Sequence, residues 1–152
     1  MKTICSLFFL MISLSTFGKK NLITMTMEEP DLFDISFKGS GNVTIHWGDG
    51  TSNIYTIDND YSKAYTHTYS KSSEKIITIT GDNITGLRCN YMQLTSLDVS
   101  RNANLTLLEC FANNLTSLDL SKNTKLTDLC CNVNRLTSLD VSNSTFGSYI
   151  NN

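Results

Sequence analysis

The sequence predicts a mainly β protein in two parts, a small β-sandwich followed by a short solenoid of three 21-residue coils. Two observations carry that prediction. A seven-residue phrase recurs almost unchanged, as LTSLDVS from Leu94, LTSLDLS from Leu115 and LTSLDVS from Leu136. Ahead of it, residues 20 to 82 break into short alternating runs divided by turn clusters, the layout of closely spaced strands. A single Pro, with abundant Thr, Ser, Asn, Ile, Leu and Val, favours strand and turn over helix.

The chain opens with MKTICSLFFLMISLSTFG, which has one Lys near its start, an apolar stretch from Ile4 to Leu14, and small residues at Thr16 and Gly18. Residues 1–18 therefore read as a secretory signal peptide, cleaved after Gly18. The run is too short and too broken by Ser and Thr to span a membrane. Cys5 precedes most of it and is badly placed for lipidation. No other stretch reads as transmembrane, so the mature chain is expected to be exported and not an integral membrane protein.

Removing the leader leaves 11 basic against 14 acidic residues. With no basic run, nucleic acid is excluded as an expected partner.

Residues 19–82 hold six candidate strands: LITMTM, LFDISF, NVTIHW, SNIYTI, AYTHTYS and KIITIT. Their spacing suggests a β-sandwich. NVTIHWGDGTS sets Val43, Ile45 and Trp47 on one face, then stops at the turn Gly48-Asp49-Gly50. Trp47 is expected in the core, and Tyr69 can make a corner hydrogen bond. Asp49, Asp58 and Asp60 suit turns, with calcium as the alternative. His46 and His67 lack zinc spacing and a nucleophile partner. No catalytic constellation appears, so the expectation is a non-enzyme without metal or cofactor.

Residues 83–152 carry the repeat. Leu87, Leu108 and Leu129 align at the 21-residue period, as do Cys89, Cys110 and Cys131, then Leu94, Leu115 and Leu136, then Leu97, Leu118 and Leu139. A fixed period in the twenties marks coils that cannot bury their apolar faces alone and must stack. Each coil is expected to carry two short strands, one at Leu-x-Cys and one at Leu97-Asp98-Val99 and its copies. The three aligned cysteines suit a buried column; a disulfide between neighbours or a metal site are the alternatives. Cys130 should point outward, where it is idle or cross-links two molecules. Asp98, Asp119 and Asp140 form an outward column, either bonded to nearby Ser or Thr groups or sharing calcium.

Outward positions on the Leu-x-Cys strand change from coil to coil, whereas Ser96, Asp98 and Ser100 recur in every copy. The changing set supplies the candidate binding residues Arg88, Asn90, Leu107, Glu109, Phe111, Asp128 and Asn132. Leu107 and Phe111 within a polar rim make a recognition spot. The plainer alternative has Phe111 folding over the coil edge or meeting the first domain.

LTLLECFANNL (Leu105 to Leu115) and LTDLCCNVNRL (Leu126 to Leu136) fit L-x-x-L-x-L/C-x-x-N-x-L. Here the chain resembles the leucine-rich-repeat family over roughly residues 84 to 144. Within that family it is similar to bacterial surface proteins distantly like internalins. The resemblance puts Asn113 and Asn134 at the family's asparagine position, bonding backbone at the strand-to-turn bend, with Met92 in that slot of the first coil. It implies binding of a protein or glycan, in a chain secreted or held at the bacterial cell surface. Trp47-Gly48-Asp49-Gly50 with His67 and Tyr69 resembles the PKD-like immunoglobulin-type domain, which implies a spacer or binding module; here His46 precedes the Trp and no Gly-x-Tyr follows Tyr69. The alternative function is a structural spacer, or a truncated repeat remnant, that self-associates through its open solenoid end.

Overall fold

A computed structural model describes residues 21–28, 31–70, 73–144 and 150–151. The expected leader, residues 1–18, lies outside them. Among the described residues the regular structure is all strand: β1 (Asn21–Met27), β2 (Leu32–His46), β3 (Ser52–Ile57), β4 (Tyr65–Thr68), β5 (Lys75–Arg88), β6 (Leu94–Asp98), β7 (Leu107–Glu109), β8 (Asp128–Cys130) and β9 (Ile150–Asn151).

Two of the expected strands, LFDISF and NVTIHW, are one. Along a straight strand Phe33 and Trp47 would stand about 46 Å apart; their ring centroids are 5.7 Å apart. β2 therefore doubles back on itself. Its bend lies at Gly39 to Gly41, where pairing with β5 changes register. Gly39 sits at φ +147°, and a Cβ there would fall 2.0 Å from the Asn83 carbonyl oxygen, so only glycine fits. The first part of β2 pairs with β4, the last part pairs with β3, and β5 runs antiparallel alongside both.

The expected closing strand at Lys75 to Thr80 continues as β5 to Arg88, through the expected domain boundary between residues 82 and 83. Its first half pairs antiparallel with β1, and its last three residues pair parallel with β7. β1 also pairs with β6. One strand thus serves both parts of the sequence, and the buried apolar side chains form one cluster, from Ile23 and Trp47 through Leu94 and Leu108 to Cys131.

Past β5 the pairing steps by the period of the sequence. Leu87 aligns with Leu108, Leu108 with Leu129, and Leu129 with Ile150, all in parallel register. Such neighbours stand about 4.8 Å apart, and each fully buried leucine contributes about 1.5–3 kcal/mol. Cys89, Cys110 and Cys131 form the next inward column, all buried. Burial holds the thiols of Cys89 and Cys110 well above the usual range, as inert apolar groups.

The second strand expected in every coil exists only in the first, as β6. A strand needs a ladder partner, and β1 reaches only that coil. In the next coils the Leu115 and Leu136 segments follow the same path without one.

Asparagines tie coil to coil. Asn113 Nδ2 donates to the carbonyls of Cys89 and Cys110, and its Oδ1 accepts from the Met92 and Leu94 amides. Asn134 Nδ2 bonds the Cys110 and Cys131 carbonyls in the same way. Met92, in the first coil's slot, instead turns its sulfur to accept from the Asp34 amide at 3.3 Å. The irregular coil is thereby the one joined to β2.

Candidate binding face

The parallel register of β5, β7 and β8 sets the outward candidates in columns. Gly86, Leu107 and Asp128 align, as do Arg88, Glu109 and Cys130. Alternation along a strand then sends Leu87, Leu108 and Leu129 inward and their neighbours outward.

Three of the candidates are bound to one another. Arg88 Nε donates to Glu109 Oε2 at 2.8 Å and Nη2 to Oε1 at 3.3 Å, a two-pronged pair. Asn90 Nδ2 donates to the same carboxylate at 3.2 Å, and Asn90 Oδ1 accepts from the Phe111 amide at 3.0 Å. The Glu109 hydrogen bond raises the Arg88 pKa against the opposing effect of burial. The guanidinium carbon of Arg88 also lies 4.1 Å from the ring centroid of Tyr61, and Nη1 donates to the Tyr61 carbonyl at 3.4 Å. Burial pushes the Tyr61 phenol far above its ordinary range, so it stays neutral. Arg88 thus spans from the loop before β4 to the second coil.

Leu107 and Phe111 are half-buried rather than fully outward. Phe111 meets Tyr91 edge to face, with centroids 4.6 Å apart and planes at 73°. Tyr91 is the aromatic that reaches water, at 66% exposure. Sequence reasoning missed it because it falls in a turn, off the strand alternation. Its signal was available in register: Tyr91, Ala112 and Val133 recur at the 21-residue period, and all three adopt φ between 55° and 60°. That left-handed turn, disfavoured for side-chain-bearing residues, ends the Leu-x-Cys strand in each coil. It projects the exposed Tyr91 and the 70%-exposed Val133 outward along one ridge.

The last coil's candidates stand apart from the Arg88 network. Asp128 is exposed and accepts from the Thr127 hydroxyl at 2.8 Å. Asn132 Oδ1 takes the Cys130 thiol hydrogen at 3.1 Å. Cys130 is half-buried; desolvation, then the nearby Glu109 charge, raises its pKa and makes the thiol less reactive.

Asp98, Asp119 and Asp140 each accept the backbone amide two residues on, from Ser100, Ser121 and Ser142, at 2.9 Å in every coil. Those bonds lower the pKa of Asp119 and Asp140. Among the described residues no group of three or more His, Cys, Asp or Glu side chains is arranged to hold a metal ion.

The WGDG segment builds a second cluster. His67 stacks on the buried Trp47 ring at 4.7 Å and donates from Nε2 to Asp49 Oδ2 at 2.8 Å. Thr51 gives Asp49 both its hydroxyl and its amide, at 2.6 and 2.9 Å. Tyr69 closes the corner by donating to the Trp47 carbonyl at 2.9 Å. The Thr51 hydroxyl, then His67, hold the Asp49 carboxyl well below the usual carboxylate range. Each member is spoken for by another.

Among the described residues no helix is long and apolar enough to cross a membrane. Comparison with protein-family models, with curated proteins and with solved structures finds no match to this chain.

Proposed function

We propose that this chain is an exported, non-catalytic recognition protein in which a PKD-like β-sandwich leads into a leucine-rich-repeat solenoid of internalin-like type. Support for the repeat reading comes from parallel pairing at the sequence period and from the bonds of Asn113 and Asn134 at the bend after each Leu-x-Cys strand. Support for the first-domain reading comes from the Trp47, Asp49, His67 and Tyr69 cluster and from the doubled-back β2. The exported, cell-surface reading rests on the leader sequence and on the resemblance.

The partner is a protein or glycan, bound on the outward face of β5, β7 and β8 and the turn ridge beside it. One observation carries this reading: the exposed Tyr91 ring, backed by Phe111, whose amide is held by the Asn90–Glu109–Arg88 network. A rigid aromatic costs little entropy to bind, and a rim already hydrogen-bonded adds little further ordering. Amides and carboxylates nearby suit polar or hydroxylated partners equally.

The experiment is a panel of extracellular proteins and glycans probed with the wild-type chain, then with Tyr91→Ala. A ligand whose binding falls at least tenfold in the variant supports the reading; ligands that bind both alike would refute this face.

A further inference from the structure

Tyr61 stands in the loop between β3 and β4, outside the repeat, yet its ring lies against a residue of the recognition face. The loop is pinned on both sides of it. Asp58 Oδ1 accepts the Asp60 amide at 2.7 Å, and Asp60 Oδ1 accepts the Ser62 amide at 3.0 Å and the Ser62 hydroxyl at 2.6 Å. The Asp58 carbonyl accepts the Gly39 amide at 3.2 Å, which ties the loop to the bend of β2. The ring meets two cations there, with the guanidinium carbon of Arg88 at 4.1 Å and Nζ of Lys38 at 5.0 Å from its centroid.

The hydroxyl has no part in this arrangement. It is buried and meets no partner among the described residues, although a buried tyrosine hydroxyl usually finds one. The site uses the aromatic face. A flat guanidinium lying on a flat ring is held with little further loss of rotamer freedom. Without the ring, Arg88 is a long, part-exposed side chain free to swing away from Glu109.

We infer that Tyr61 is a positioning residue of the recognition face, contributed by the first part of the chain and acting through Arg88. Held on the ring, Arg88 presents Nε and Nη2 to the two carboxylate oxygens of Glu109. The fixed carboxylate takes Asn90 Nδ2, and Asn90 Oδ1 is thereby turned to the Phe111 amide. The Phe111 carbonyl accepts the Tyr91 amide at 3.1 Å, and the two rings meet edge to face. Each side chain fixes the next, so the Tyr91–Phe111 pair is ordered before a partner arrives, which lowers the ordering cost of binding. Tyr61 lies outside the 21-residue period, so the repeat alone does not supply this order. Recognition then needs both parts of the chain. This inference rests on the recognition face proposed above.

Amide hydrogen exchange of the full chain, read residue by residue by NMR, tests it in the wild type, Tyr61→Leu and Tyr61→Phe. Tyr61→Leu keeps apolar bulk and loses the ring; it should speed exchange at Phe111 about fivefold, the weight of one cation–π contact near the surface. The Cys110 amide, next in sequence but bonded to the Cys130 carbonyl at 2.8 Å, should keep its wild-type rate. Tyr61→Phe keeps the ring and drops the unpartnered hydroxyl, so both amides should exchange as in the wild type. Should Tyr61→Leu not fold, Arg88→Lys retains the charge, gives up the flat stack and should act on Phe111 alike. Three results would overturn the inference: an unchanged Phe111 amide in the variant read, equal acceleration at Phe111 and Cys110, or a Phe111 amide that Tyr61→Phe also speeds. None of these readouts involves a ligand. A failure here leaves Tyr91-dependent binding to be judged on its own, and a failure of that binding leaves the exchange result standing.

Discussion

Asn113 joins two consecutive coils through both ends of its amide, donating to the Cys89 carbonyl at 2.9 Å while accepting the Leu94 amide at 3.0 Å. Both of these bonds are buried, and Asn113 itself is 6% exposed. Asn113→Ala would leave the carbonyls of Cys89, Cys110 and, at 3.4 Å, Phe111 and the amides of Met92 and Leu94 without this partner, at about 1–3 kcal/mol for each group left unsatisfied. The expected loss is about 3 kcal/mol in denaturant unfolding. Asn134→Ala, half-buried at the last coil, should cost visibly less. Equal losses would mean that the asparagines do not act through coil-to-coil bonding.

Asp49 sets a prediction for acid. Its carboxyl is held below the ordinary carboxylate range in the folded chain, mainly by the Thr51 hydroxyl and then by His67. In the unfolded chain an Asp titrates near pH 3.9. Around and below that pH the unfolded chain binds more protons, so stability is present above about pH 4 and is lost as pH falls toward the lowered folded value. Asp49→Asn should flatten this acid limb while lowering stability at neutral pH. Thermal midpoints measured from neutral to strongly acidic pH check it; an acid limb as steep as that of the wild type would remove Asp49 as its source.

The repeat was legible because it depends on side chains spaced by a constant period, and Leu87, Leu108 and Leu129 take the predicted register. Other contributions depend on what sits beside a residue. Nothing local in GDNITGLR says that β5 runs on to Arg88, because its later partners, β2 and β7, come from elsewhere in the chain. Likewise β6 is a strand only because β1 lies against it. Of the candidate residues, Arg88, Asn90, Glu109 and Phe111 are joined by hydrogen bonds, whereas Asp128 and Asn132 stand apart from them. Tyr91 escaped because turns do not follow strand alternation. Two constant columns also went unread: Thr85, Thr106 and Thr127, and Asn102 with Asn123. Thr106 Oγ1 and Thr127 Oγ1 each donate to the threonine carbonyl one coil earlier, at 3.0 Å.

Phe111 and Asp119 should separate recognition from scaffold. Phe111 supports Tyr91, whereas Asp119 spends its carboxylate on the Ser121 amide, away from the changing columns. Phe111→Ala should weaken partner binding at least tenfold, the scale of an aromatic anchor worth 1 kcal/mol or more. Asp119→Ala should change it little. Calorimetric titration of a ligand found on the panel decides; equal effects in two folded variants would remove the proposed face.

Arg88 and Glu109 should couple only modestly despite their two-pronged geometry. Their side chains keep 41% and 25% of their exposure, so water screens the pair. A double-mutant cycle with Arg88→Met and Glu109→Gln should give about 0.5–1 kcal/mol, shrinking in high salt. Arg88→Met alone should cost more than Glu109→Gln, because it also gives up the Tyr61 ring. A larger loss from Glu109→Gln would mean that the Tyr61 contact contributes little.

Ser144 occupies a place that asparagine holds in the two earlier coils. Asn123 Nδ2 donates to the carbonyls of Val99 and Asn102, one coil back, at 3.0 and 2.9 Å. The matching carbonyls for position 144 belong to Leu120 and Asn123; each now accepts one backbone amide, as Val99 and Asn102 also do. The buried Ser144 hydroxyl meets no partner among the described residues. Ser144→Asn therefore offers two donors to two carbonyls with room for them. One cost opposes this: the amide oxygens of Asn102 and Asn123 are buried without a donor, and a third could join them. At roughly 1 kcal/mol per hydrogen bond, the two new bonds less that cost should leave a net stabilisation of about 1 kcal/mol in denaturant unfolding. Destabilisation would mean that the last coil does not repeat the backbone path of the two before it.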